Sequence, residues 1–120
     1  MRITPGLRTT KRYQTEGGRC PFDEWFNSLR DTQGKANAAA RIERAEKGGF
    51  GDHKVLGDGV FELRIDVGPG YRVYFGLEGD KFILLLLGGA KGSQSRDIER
   101  SKKYWADYVV RTKASERTSR

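Results

Sequence analysis

A single cysteine, Cys20, and a single histidine, His53, stand in 120 residues. One cysteine excludes an internal disulfide and any zinc site built from several thiolates. One histidine excludes catalysis by paired histidines within this chain. Long apolar runs are missing as well. The longest, Phe82 to Leu87, is far short of the roughly 18 residues that span a bilayer, so no transmembrane helix is expected. The opening residues Met1-Arg2-Ile3-Thr4-Pro5-Gly6 lack the apolar segment of a secretory signal. With the lone thiol, these absences lead to the expectation of a reducing, cytoplasmic setting without a membrane partner. Proline is scarce at three residues. Glycine, at 16, is close to double its average share of about 7%, which implies many turns.

What the chain has in excess is positive charge. The formal net charge is +7 and the pI is near 9.8. The excess sits at the two ends. Residues 1–20 carry Arg2, Arg8, Lys11, Arg12 and Arg19 against Glu16, and residues 91–120 carry nine cations against four anions. The middle is slightly acidic. Such a balance favours a polyanionic partner, because each phosphate contact releases condensed counterions. Nucleic acid or the ribosome is the expected class of partner.

The length suits one domain, expected over residues 1–111, with a basic and aperiodic tail over 112–120. Thr9 to Thr15 is rich in β-formers and reads as a first strand. Phe22, Trp25, Phe26 and Leu29 recur at i, i+3, i+4 and i+7, the apolar stripe of a short helix with Pro21 in its first turn. Asp31-Thr32 offers an N-cap to a second helix through about Lys47, with Ala38, Ile42 and Ala45 on one side. The stretch from Phe50 to Gly59 reads as a loop. Beyond it the period becomes 2: Phe61, Leu63, Ile65 and Val67 alternate with Glu62, Arg64 and Asp66. Gly68-Pro69-Gly70 turns the chain into Tyr71 to Phe75, and Glu78-Gly79-Asp80 turns it again into Phe82 to Leu87, apolar on both faces. Gly88-Gly89 is expected to end that strand. Ser95 or Asp97 caps a last helix with Ile98, Trp105 and Val109 on one side. The expected class is α+β, ordered β-α-α-β-β-β-α, with the helices on one face of an antiparallel sheet.

The polar side of that sheet carries the candidate chemistry. Period-2 geometry puts Arg64 and Arg72 on the same, solvent-facing side of neighbouring strands, with Lys54 entering from the loop before them and Lys91 leaving after the last strand. Converging cations suit RNA cleavage by a 2′-OH attacking its own phosphate. That reaction needs a base, charge stabilisation at the phosphoryl oxygens and an acid for the leaving oxygen. A lysine crowded by cations can serve as the base in its neutral form, so Lys54 and Lys91 are the candidates. His53, Tyr74 and Arg96 are read as RNA contacts, Tyr74 through base stacking. Solvent-facing arginines are also what any soluble surface carries. Gly88-Gly89-Ala90-Lys91-Gly92-Ser93 lacks the spacing of a nucleotide-binding loop, and Asp52, Asp58, Glu62 and Asp66 lack metal-ligand spacing. Neither cofactor nor metal is expected.

Five segments, Pro21-Phe22-Asp23-Glu24-Trp25, Gly49-Phe50-Gly51-Asp52-His53-Lys54, Glu62-Leu63-Arg64-Ile65, Gly68-Pro69-Gly70-Tyr71-Arg72-Val73-Tyr74 and Gly88-Gly89-Ala90-Lys91-Gly92-Ser93-Gln94, are followed by Arg96-Asp97-Ile98. In this order they resemble the RelE/ParE toxin superfamily, in its HigB-like "addiction module killer" branch. The resemblance covers about residues 10–108 and implies a RelE-like fold, an antiparallel sheet with two N-terminal helices on one face and a C-terminal helix. It implies the toxin of a type II toxin–antitoxin pair, an mRNA interferase working with the 70S ribosome and neutralised by a cognate antitoxin. Operator DNA would be met only through the antitoxin complex. By the same resemblance Lys54, Arg64, Arg72 and Lys91 match basic residues of the site. The branch commonly has Asp where this chain has Ala90, and Ile98 stands where a RelE-type tyrosine falls, so the resemblance assigns no general acid. ParE-like relatives inhibit DNA gyrase instead, and an inactive toxin-derived RNA-binding regulator is the other alternative.

Overall fold

The computed structural model describes Ile3 and residues 6–118. Its elements follow the order β1 (Thr9–Arg12), α1 (Pro21–Ser28), α2 (Thr32–Glu46), β2 (His53–Gly57), β3 (Val60–Ile65), β4 (Tyr71–Glu78), β5 (Phe82–Ala90), a 3-10 turn (Lys91–Ser93) and α3 (Gln94–Thr118). The architecture is α+β with a five-stranded sheet in the order β1-β5-β4-β3-β2. The strands β2 to β5 form an antiparallel meander, but β1 runs parallel to β5, so the sheet is mixed. That corrects the expectation of a purely antiparallel sheet. Strand pairing across 70 residues of chain is free of the hairpin constraint that makes sequential neighbours antiparallel.

The strand β2 is also absent from the sequence reading, which has a loop there. Its signal is the dipeptide Asp58-Gly59, with φ of 54° and 82°, joining β2 to β3 by a two-residue turn. Both central residues at positive φ suit a type I′ turn, whose twist matches that of the flanking strands. Two further boundaries move. β5 continues through Gly88-Gly89 to Ala90, and α3 runs to Thr118, past the point where its apolar period ends. Ser119 and Arg120 lie outside the described residues.

The helices α1 and α2 form as read. Pro21 opens α1, and Asp23 and Glu24 stand in its first turn, where the helix dipole favours acids. The Asp31 carboxylate caps α2 by accepting from the Gly34 amide at 3.0 Å, and it also accepts from the Tyr71 hydroxyl at 2.9 Å. Gly34 leaves room for that second bond, since a Cβ there would come within 2.4 Å of the Tyr71 ring.

The larger correction concerns the layers. Phe61, Leu63, Ile65, Tyr71, Val73 and Phe75 pack on one side with Trp25, Phe26, Leu29 and Ile42 of the N-terminal helices. Val60, Tyr74, Leu84 and Leu86 pack on the other with Ile98, Tyr104, Trp105 and Tyr108 of α3. Helices therefore cover both faces. Each fully buried Leu or Phe in these layers contributes roughly 1.5–3 kcal/mol relative to exposure, and the apolar residues of β4 and β5 on both faces make two layers possible. Trp105 settles on the second layer because Gly59 and Gly76 offer no side chain; a Cβ at either would lie 2.2 Å from its ring.

Candidate functional site

The register of the meander decides which polar side chains meet. Lys54 on β2 faces Glu62 on β3, and Arg64 on β3 faces Arg72 on β4. Cross-strand partners point to the same side of a sheet, so these four share the face that α3 covers. Lys91 joins from the turn after β5: its amide donates to the Gly70 carbonyl at 3.0 Å. A Cβ built on Gly70, whose φ is +82°, would stand 3.7 Å from Lys91 Cβ and 3.9 Å from Arg72 Nη1. Arg72 and Lys91 thus border one small space. The four cations named from the sequence are brought to one end of one face.

Their setting differs from an open solvent-facing sheet. Arg72 is buried, with only 8% of its side chain exposed, and Arg64 retains 34%. Between them lies the fully buried carboxylate of Glu62. Its Oε1 accepts from Arg64 Nε at 3.0 Å and lies 3.8 Å from Arg72 Nε, while its Oε2 accepts from Gln94 Nε2 at 2.8 Å. The hydrogen bond to Glu62 holds the Arg64 guanidinium above its ordinary pKa, so Arg64 is a fixed charge. Arg72 Nη1 donates to the Tyr71 carbonyl at 3.3 Å, and its Nε is buried without a hydrogen-bond partner among the described residues. Lys54, Lys91 and Arg96 are exposed and make no ion pair among the described residues. Arg96 lies in the first turn of α3 and lines, with Lys91 and Ser93, a shallow cleft of about 320 Å3.

Two of the expected RNA contacts do not join this group. Tyr74 is fully buried beneath α3, so no base can stack on it. Burial first, and then the nearby Glu62 and Asp97 carboxylates, push its phenol pKa well up. His53 is exposed but occupies the opposite side of β2 from Lys54, as alternate strand residues must. Its Nδ1 sits 2.8 Å from the Gly51 carbonyl, and its ring meets the edge of Phe50 on the α1–α2 side.

Sequence reasoning missed Glu62 and Gln94. Period-2 alternation placed Glu62 outward with Arg64 and so read it as surface. The available signal is a carboxylate two residues before an arginine on the same strand face, which puts an anion beside a cation. The glycine pair also has a packing role. A Cβ at Gly88 would lie 2.1 Å from the Trp25 ring of α1, and one at Gly89 would lie 2.0 Å from the Asp97 carboxylate of α3. The two glycines admit one helix on each face. Ala90, paired with Tyr71, faces the α1–α2 side, away from the arginines.

Chemically, the group offers guanidinium and ammonium donors at one end of the sheet, which suits phosphate oxygens. No three His, Cys, Asp or Glu side chains among the described residues are grouped to hold a metal ion. Among the described residues no helix is long and apolar enough to cross a membrane.

No protein-family model matches the chain. An uncharacterized protein of Haemophilus influenzae is 47% identical to it over 81 residues, covering 68% of this chain and 82% of that protein.

Proposed function

We propose that this chain, which belongs to the same family as that uncharacterized Haemophilus protein, is the toxin of a type II toxin–antitoxin pair. In this reading the α+β architecture is RelE-like, and the protein is a cytoplasmic, metal-independent endoribonuclease that cuts mRNA on the ribosome. The observation that carries the proposal is the convergence of Lys54, Arg64, Arg72 and Lys91 at one end of one sheet face. The basic termini support a polyanionic partner.

The chemistry would be transesterification. The 2′-oxygen of one nucleotide loses its proton to a base and attacks its own phosphorus, the bond to the next 5′-oxygen breaks, and that oxygen takes a proton from water, leaving a cyclic phosphate and a 5′-hydroxyl. Arg64 and Arg72 would stabilise the extra negative charge on the phosphoryl oxygens, a contribution of about 10²–10³-fold for one well-placed donor. Lys54 and Lys91, exposed and in no ion pair among the described residues, would hold the neighbouring phosphates, and either in its neutral form would take the 2′-proton. Arg96 would extend the phosphate track along the cleft. A cognate antitoxin with an acidic segment would neutralise the toxin by covering these cations. Operator DNA would be met only through that complex.

The test is a reconstituted translation system with a defined mRNA, with and without ribosomes, and cuts mapped by primer extension. Cuts in codon register that need ribosomes support the proposal. Intact mRNA in both reactions, with blocked supercoiling by DNA gyrase, would replace it by a gyrase poison. Intact mRNA with unimpaired gyrase and unimpaired growth would leave a non-toxic RNA-binding regulator.

A further inference from the structure

We infer that Glu62 is a positioning residue, an internal anion that aims Arg64 at the substrate phosphate while offsetting the charge of Arg72, and that Gln94 at the start of α3 holds Glu62 in place. The inference rests on the reading of these arginines as the phosphate-stabilising pair. An unpaired carboxylate has no place in an interior, because taking an ion out of water costs several kcal/mol. Glu62 is nevertheless fully buried. Its surroundings account for this: Oε1 faces both Nε groups, at 3.0 Å from Arg64 and 3.8 Å from Arg72, and Oε2 takes the Gln94 amide at 2.8 Å.

The consequence for the arginines is geometric. Arg64 spends Nε on Glu62, so its terminal nitrogens, which bond none of the described residues, remain for a ligand. Two guanidiniums directly opposite on neighbouring strands repel each other. One anion beside both Nε atoms offsets that repulsion, and its hydrogen bond fixes where the Arg64 fork points. Gln94 is the first residue of α3, and its amide ties the carboxylate to the helix that covers this face. The seating of α3 is thereby coupled to the aim of Arg64.

Glu62→Gln removes the charge and keeps the shape, and Gln94→Ala removes only the outer tether. Three quantities separate positioning from folding: the exchange rate of the Arg64 Nε proton by NMR, affinity for a single-stranded RNA oligonucleotide, and kcat for mRNA cleavage. The positioning role predicts Arg64 Nε–H exchange several times faster in Glu62→Gln. It predicts RNA affinity equal to or above that of the wild type, since one negative charge is gone, with kcat lower by about 10²-fold through misplacement. Gln94→Ala should shift exchange and kcat in the same direction by a smaller factor. Unchanged exchange and kcat in both variants would overturn the inference. So would a parallel fall of affinity, kcat and thermal midpoint in both, the mark of a merely structural residue. If the wild type itself cuts no mRNA, the nuclease reading fails separately. The positioning of Arg64 is then decided by exchange and affinity: faster exchange at undiminished affinity sustains it, and unchanged exchange removes it.

Discussion

Arg64 and Arg72 are direct cross-strand partners on β3 and β4, yet only one of them is buried. Two like charges in that relation are destabilising unless an anion lies between them, and Glu62 supplies it. The same pair is therefore both a structural problem solved inside the sheet and the start of the proposed phosphate site.

This relationship gives each arginine a part in stability as well as in the proposed chemistry. Arg64→Ala should lower mRNA cleavage by about 10²–10³-fold and lower the thermal midpoint as well, because it removes the 3.0 Å hydrogen bond to the fully buried Glu62 carboxylate. Arg72→Ala should lower cleavage similarly and also destabilise the fold by about 1–3 kcal/mol, since it deprives a buried carboxylate of a neighbouring cation. Cleavage in reconstituted translation and thermal unfolding of each variant check both. Full cleavage by both alanine variants would remove them from the site.

Lys54, Lys91 and Arg96 are each expected to act through affinity, and the lysine that takes the 2′-proton also through kcat. Each change to Ala should weaken RNA binding uniformly across sequences and reduce the slope of log K against log salt by about 0.7, the share of one phosphate contact on a single strand. Titrations of an RNA oligonucleotide at several salt concentrations measure this. An unchanged slope in all three would place the RNA elsewhere.

Gly88→Ala probes the packing of α1 onto β5. The added Cβ would meet the Trp25 ring at 2.1 Å, far inside contact distance. The expected cost is about 1–3 kcal/mol, read by denaturant unfolding. Combining it with Trp25→Leu should recover part of that loss relative to the sum of the single changes, since the clash partner is then smaller.

Stability should decline at high pH because of Tyr13. Burial first, and then the hydrogen bond it donates to Asp107, raise its phenol pKa to about 12 from an ordinary 10.0. A group whose folded pKa is raised contributes stability that is fully present below the unfolded pKa and is lost as pH climbs through the folded value. Unfolding free energy should therefore fall between about pH 10 and 12. Tyr74, raised in the same direction, adds to the decline. Phenolate absorbance should show these two tyrosines ionising later than in the unfolded chain, and Tyr13→Phe should flatten the decline.

At low pH the sign reverses for Asp31. Its pKa is lowered, first by the backbone amide of Gly34 and then by the Tyr71 hydroxyl. Its contribution is present above the unfolded pKa near 3.8 and is lost as pH falls through the lower folded value. Asp31→Asn, which keeps a capping oxygen, should lose less in thermal midpoint at pH 7 than Asp31→Ala, whose deficit is expected at ~5 °C. The gap between wild type and Asp31→Ala should narrow as pH drops below that of the unfolded carboxylate.

Local patterns were legible because they depend on neighbours in the chain. The stripe Phe22, Trp25, Phe26 and Leu29, the Asp31 cap and the alternation from Phe61 to Ile65 each rest on the fixed periods of helix and strand. The Asp58-Gly59 turn was equally local, and reading the stretch before it as loop overlooked a signal that was present. The alternation told which residues of β3 and β4 share a face with Arg64 and Arg72. It could not tell whether water or a helix lies over that face.

That question belongs to tertiary structure. Seating α3 on the second face buries Tyr74 and Glu62, removes one from the list of RNA contacts and makes the other the partner of both arginines. Parallel pairing of β1 with β5 is of the same kind, since it joins segments some 70 residues apart. The sequence by itself determined the elements apart from β2, their periods, the excess of cations and the coincidence of Arg64 and Arg72 on one sheet face. Only the tertiary structure decided what covers that face, because burial and charge pairing arise from contacts between distant segments, whereas period and propensity arise from adjacent ones.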